Sequence, residues 1–171
     1  MKRFSHYHKF SFTIIIFTLI SACNPQQELS NEIGLALESK SSALGQKFSE
    51  KEVLVVIPRT GCSGCIGTAD HFYKEANYDP TKVQFIFTRI PSVKTLKIRL
   101  GKDISEKDYV YIDQEGTFSK GKLDSIYPLI IQLSNGEVLD IEFLSPDNKQ
   151  VIIDLRDRFS VSKTNEYPSE I

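Results

Sequence analysis

Five apolar residues in unbroken succession, Val53-Leu54-Val55-Val56-Ile57, run up to Pro58. A strand with one wet face would alternate apolar and polar residues. A continuous β-branched run predicts a central strand buried on both faces, which requires covering layers above and below it. Arg59 to Gly64 is then rich in turn formers, and a helix is expected to begin near Ser63. Ile66, Ala69, Phe72, Tyr73 and Ala76 recur at steps of three and four and make one apolar stripe. Two cysteines, Cys62 and Cys65, fall where that strand gives way to that helix.

The rest of the chain extends this pattern. Asp79-Pro80 ends the first helix, and Lys82 to Ile90 reads as a second strand. Strand, helix, strand needs a crossover connection, so these two strands are expected to be parallel. Ser92 caps a short helix with Val93, Leu96 and Leu100 inward and Gly101 as its stop. Lys94, Lys97, Arg99 and Lys102 on it read as a solvated face, with a docking surface as the alternative. Tyr109 to Ile112 is a short strand leading into a turn over Asp113 to Gly116. Leu129 to Leu133 and Val138 to Leu144 are joined through Asn135-Gly136, a hairpin signal because both residues tolerate positive φ. Val151, Ile152, Leu155 and Phe159 then mark one face of a closing helix after Pro146-Asp147. The parallel first half and antiparallel second half predict an α/β fold with a mixed central sheet flanked by helices.

The expected domain covers 48–159, with 160–171 as a polar tail. Upstream, 23–47 reads as a tether and N-terminal extension. Asn24 to Ser30 is polar; Leu29, Ile33 and Leu37 have helical spacing with Ser30 as an N-cap, but Gly34 and Gly45 interrupt them.

The first residues bear on location. Lys2, Arg3 and Lys9 form a basic segment with no acid, and Phe10 to Ile20 is apolar but too short to span a bilayer comfortably. Ile20-Ser21-Ala22-Cys23 follows, and it resembles the lipobox of bacterial lipoproteins. The resemblance implies a signal peptide over 1–22, acylation of Cys23, and a membrane-anchored protein of the cell envelope facing the periplasm or the exterior. A plain secretory signal or a short anchor helix is the alternative. Cleavage would remove three basic residues and no acidic one from a chain of net charge −1. A mildly acidic chain gives no electrostatic reason to bind nucleic acid. His6 and His8 would leave with the signal.

Of three cysteines, Cys62 and Cys65 then remain as a lone pair. A two-residue spacing closes too small a loop to stabilise an exported domain of this length, so chemistry explains the pair better than stapling does. The unsatisfied N–H groups and positive dipole end of a helix N-terminus favour thiolate over thiol. A cysteine there can titrate well below its free value of about 8.5. Cys62 is expected to be the exposed attacking sulfur and Cys65, about a turn inward, the resolving one. Gly61 and Gly64 leave room for a tight turn and a close partner.

The buried strand leading into Cys62-Ser63-Gly64-Cys65, Tyr127-Pro128 at the entry to a strand, and the Asn135-Gly136 hairpin with its closing helix together resemble the thioredoxin-like thiol–disulfide oxidoreductases, especially their anchored extracytoplasmic branch. The resemblance covers roughly Phe48 to Phe159. It implies a thioredoxin-like fold, redox exchange with thiols and disulfides of exported proteins, a further redox partner, and no cofactor. It also implies that Pro128 is cis and faces the cysteines, with Tyr127 presenting backbone to the substrate. The chain departs from the family in having Gly61 where an aromatic residue usually precedes the first cysteine, no Trp anywhere, and no acid on the strand before the motif.

Two other readings stay open: an anchored binding or adaptor module with an inert cysteine pair, and copper or zinc handling through two thiolates. His71 reads as a surface histidine rather than a ligand, and no second pair completes a tetrahedral metal shell. Arg59 lies three residues before Cys62 and could lower its pKa, though solvation is its commoner fate. Asp70 and Glu75 read as helix-surface charges. No Gly-rich phosphate loop and no Ser-His-Asp pattern is present.

Overall fold

The computed structural model describes residues 25–44, 48, 50–75 and 78–160. The signal peptide expected over 1–22, Cys23, and the expected tail beyond Ser160 lie outside the described residues, as does Ala76 of the expected stripe.

Among the described residues nine principal elements follow in order: α1 (Pro25–Leu44), β1 (Val53–Pro58), α2 (Ser63–Glu75), β2 (Val83–Thr88), α3 (Val93–Leu100), β3 (Val110–Ile112), β4 (Leu129–Ser134), β5 (Glu137–Phe143) and α4 (Gln150–Phe159). The five strands form one sheet in the order β3-β2-β1-β4-β5. β1 pairs in parallel with β2, Val53 opposite Val83, and antiparallel with β4, Val56 opposite Leu129. β3 runs parallel to β2, and β5 antiparallel to β4. This is the mixed-sheet α/β fold that the sequence pattern predicts. It places the carboxyl ends of β1, β2 and β3 at one end of the sheet, where an open α/β sheet gathers functional loops.

β1 is buried along its whole length, and its residues alternate between two cores. Val53, Val55 and Ile57 face α2, α3 and α4, against Ala69, Phe72, Leu96, Val151 and Leu155. Leu54 and Val56 face the other way, against Leu29, Ile33 and Leu37 of α1 and against Phe118 and Leu123. A continuous apolar run is what such a two-sided environment requires. The described inward residues of α2 and those of α4 are buried as read; in α3 Leu96 and Leu100 are buried and Val93 is half-buried, with Ser92 Oγ accepting from the Thr95 amide at its start. In the hairpin turn, Asn135 and Gly136 have φ of 53° and 82°.

Of the tether expected at Asn24 to Ser30, the described residues from Pro25 onward are helix instead. α1 starts at Pro25, five residues before the predicted cap Ser30, with proline at a first-turn position where its missing N–H is harmless. Leu29, Ile33, Ala36 and Leu37 supply the second face of the sheet. Burial of that stripe outweighs the roughly 1 kcal/mol propensity penalty of Gly34.

Candidate functional site

β1 ends at Pro58, and the chain must turn through Arg59-Thr60-Gly61 to begin α2. The Arg59 amide still donates to the Thr88 carbonyl at 2.9 Å, which keeps β1 beside β2 for one more residue. Gly61 has φ of 139°, and a Cβ there would meet the Ile126 Cα at 2.8 Å and its carbonyl carbon at 2.9 Å. Only glycine lets the segment leading into β4 close onto this loop. That closure is sealed by a hydrogen bond from the Cys62 amide to the Ile126 carbonyl, 3.0 Å.

Cys62 is the residue immediately before α2 and caps it. Its carbonyl accepts from the Ile66 amide at 2.9 Å, and its Sγ accepts from the Cys65 amide at 3.3 Å. The sulfur therefore stands where an N-cap hydroxyl would, on an amide that the helix cannot satisfy itself. Cys62 and Cys65 are joined as a disulfide, with Cα atoms 5.4 Å apart. Cys62 is half-buried, whereas Cys65 is 6% exposed and packs in the core with Ile66 and Ala69.

Two flanks border the disulfide. On one side lie Ile126, 51% exposed, and half-buried Tyr127. On the other is a cleft of about 280 Å³ lined by Cys62, Cys65, Thr68, Leu144, Pro146 and Lys149.

Three expectations at this site need correcting. No cis peptide bond occurs among the described residues, so Tyr127–Pro128 is trans. The intrinsic preference between the two isomers is only about 0.5–1 kcal/mol, so the residue pair alone does not fix the isomer. Here Pro128 is buried, and its carbonyl accepts from the Leu144 amide at 2.9 Å. The backbone group turned toward the cysteine loop is the Ile126 carbonyl, two residues earlier. Second, Asp70 is not a surface charge: it is 4% exposed. Third, Arg59 is not solvated. Its guanidinium binds Asp70 through two contacts of 2.6 and 3.1 Å, and its side chain is 7% exposed. Arg99 of the basic cluster adds a contact to Asp70 at 3.2 Å.

Apart from Lys149 in the cleft, two further titratable groups of this end are engaged with other partners. His71 is largely exposed and lies 3.2 Å from Glu75, which also binds Arg156. Asp113, after β3, is buried and accepts from the Thr88 hydroxyl and from the Thr117 and Phe118 amides at 2.8–3.0 Å. It shapes the following turn. Among the described residues no three His, Cys, Asp or Glu side chains are grouped to hold a metal ion. No helix among them is long and apolar enough to cross a membrane.

Ile126 and Asp113 are site-end residues that the sequence reading did not single out, and Asp70 is one that it placed on the surface. Their importance comes from contacts with chain segments far away in sequence. Asp70 directly follows the inward residue Ala69, and that edge-of-stripe position is the one local signal available.

Fold and site together define a class: an α/β protein with a five-stranded mixed sheet and a Cys-X-X-Cys disulfide at the start of the helix after its central strand. No protein-family model matches the chain, and no curated protein or solved structure does.

Proposed function

We propose that this protein performs thiol–disulfide exchange on exported proteins while held at the membrane by a lipid on Cys23. The observation that carries the reading is the asymmetry of the pair. Cys62 is partly exposed at the N-terminus of α2 with its Sγ on a helix amide, and Cys65 is buried behind it. Helix amides and dipole stabilise charge on Cys62, and the thiolate is the attacking species.

In the reducing direction, the Cys62 thiolate attacks one sulfur of a substrate disulfide. An S–S bond forms between Cys62 and substrate while the substrate bond breaks, and the departing sulfur takes a proton. Cys65, deprotonated, then attacks Cys62 Sγ. The Cys62–Cys65 bond forms and the second substrate thiol leaves. Two electrons have passed from the dithiol to the substrate, and a dithiol partner must restore them. The reverse sequence oxidises a substrate dithiol. The substrate backbone is expected to lie along Ile126 and Tyr127, since Pro128 is buried under the β5 end.

The test is a pair of trapping variants. Cys65→Ala should accumulate reductant-sensitive covalent adducts with partners, because no second thiol is placed to release them. Cys62→Ala should trap none. Adducts from neither, with both sulfurs alkylated slowly and equally, would favour an anchored adaptor with an inert pair. The anchor is tested separately: Cys23→Ala should leave unprocessed precursor, and normal maturation of that variant would refute lipidation.

A further inference from the structure

Between residues 59 and 70 the only charged side chains are Arg59 and Asp70, and they meet. Their contact spans the redox pair: Arg59 lies three residues before Cys62, and Asp70 five after Cys65, on the helix that Cys62 caps. Both side chains are buried, at 7% and 6% exposure. The Arg59 guanidinium also sits 5.8 Å from the centre of the Phe87 ring, out of bulk solvent. Charges so shielded act on a neighbour far more strongly than surface charges do. β1 carries no acid, and the other buried carboxylate, Asp113, is engaged with the Thr88 hydroxyl and two amides. Asp70 is therefore the one described carboxylate placed to cancel Arg59.

We propose that Asp70 is a positioning residue that sets the redox poise of the Cys62–Cys65 pair by neutralising Arg59. The inference rests on the thiol–disulfide reading of the site. With the pair intact, the Arg59 charge is matched and adds little to the stability that the helix amides give the reduced form. Without Asp70, an unmatched guanidinium three residues before Cys62, on the loop that leads into it, would stabilise the thiolate further. Stabilising the thiolate stabilises the dithiol, and so makes the disulfide a stronger oxidant. Asp70 thus holds the site on the reducing side.

The other charged groups at this end belong to different elements. Arg99 of α3 also contacts Asp70 and is half exposed. Arg89, after β2, is paired with Asp124 and reaches the Thr60 carbonyl at 3.5 Å. Lys149, before α4, lines the cleft beside the sulfurs. None of these is altered in the test.

The test reads the sign of the effect in the purified full-length protein. Cys62 alkylation against pH and the equilibrium constant with glutathione are measured for Asp70→Asn, Arg59→Met and the double variant Arg59→Met/Asp70→Leu. Asp70→Asn should lower the alkylation midpoint and move the equilibrium several-fold toward the dithiol, where tenfold corresponds to about 30 mV. Arg59→Met, which leaves Asp70 only the exposed Arg99, should move both readouts the opposite way and by less. The double variant should return close to wild type. Replacing a buried ion pair by apolar residues is often neutral for stability, so the double variant is expected to fold. Should Asp70→Asn fail to fold, Arg59→Met against the double variant carries the same sign test. Shifts in one direction for both single variants, no shift in either, or a double variant that stays with Arg59→Met, would overturn the proposal. The alkylation midpoint is readable whether or not Cys65→Ala traps partners, so failure here is distinct from failure of the exchange reading.

Discussion

At the carboxyl ends of β1, β2 and β3 the sheet opens into loops. Gly61 and Arg89 stand there at φ of 139° and 51°, Ile126 is half exposed, and an ion pair is buried beside a disulfide. At the opposite end, rings meet rings. Tyr78 lies 5.3 Å from Phe72, 5.2 Å from Phe85 and 6.0 Å from Tyr109, centre to centre, and Tyr73 lies 5.1 Å from Phe85. Such tilted and edge-to-face contacts add about 0.5–1.5 kcal/mol each beyond the area they bury. The closed end provides stability that the open end, with its unusual backbone and exposed sulfur, does not need to provide.

That division can be broken by mutation. The largest effect is expected from Phe72→Ala at the closed end. Phe72 is 1% exposed, and loss of a buried Phe side chain costs about 3–5 kcal/mol. Denaturant unfolding should show that loss while the folded fraction keeps wild-type alkylation kinetics at Cys62. A changed Cys62 midpoint would mean that the two ends are coupled.

Gly61→Ala attacks the open end. A Cβ would sit within 3 Å of Ile126 backbone, and the backbone is in a region that costs a non-glycine residue about 1–3 kcal/mol. Here stability and exchange rate should fall together, because relief of the clash displaces the Ile126 carbonyl from the Cys62 amide. Loss of stability with unchanged exchange would show that this hydrogen bond does not position the sulfur.

The two ends also differed in how well the sequence announced them. β1, β2, the Asn135-Gly136 hairpin and the stripes of α2 and α4 depend on periodicity and on short-range turn chemistry, which a linear sequence carries in full. The start of α2 at Ser63 was legible for the same reason, and with it the place of both cysteines. The partner of Arg59 was not, because the guanidinium folds back over eleven residues of chain onto a helix face. The Pro128 isomer was not, because the intrinsic bias of an X-Pro bond is only about 0.5–1 kcal/mol. α1 was missed at its start because Gly34 weakens the local signal, whereas the sheet face that stabilises the helix is distant in sequence.

Alkaline pH tests the closed end more gently. Burial pushes the Tyr78 hydroxyl up from its ordinary value, with Tyr109 and Tyr73 acting in the same direction, and burial raises Tyr73 too. A raised folded pKa means that the unfolded chain loses the proton first. The stability is fully present below about pH 10, the unfolded tyrosine value, and drains away as pH rises above it. Tyr78→Phe removes the hydrogen bond from its hydroxyl to the Tyr73 carbonyl, 2.9 Å, at about 1 kcal/mol near neutral pH. Between pH 10 and 12 the variant should lose stability less steeply than wild type. Parallel curves would show that Tyr78 ionises as freely in the folded protein as in the unfolded one.

The smallest effect on stability is expected at Ile126, where the open end is most exposed. It is the Ile126 carbonyl, not its side chain, that holds the Cys62 amide. With 51% of the residue already in water, Ile126→Ser should change stability by no more than about 0.5 kcal/mol. On the proposed reading a substrate chain approaches Cys62 along Ile126, and covering that side chain would bury apolar area worth about 0.8 kcal/mol per methylene. Exchange with the disulfide of a protein substrate should therefore slow several-fold, while exchange with glutathione disulfide, too small to cover Ile126, should not. Equal slowing on both would mean that the substitution disturbs the sulfur itself. No slowing on either would place the docking side on the Leu144–Lys149 cleft, and Lys149→Ala would then be the variant that separates protein from small disulfides.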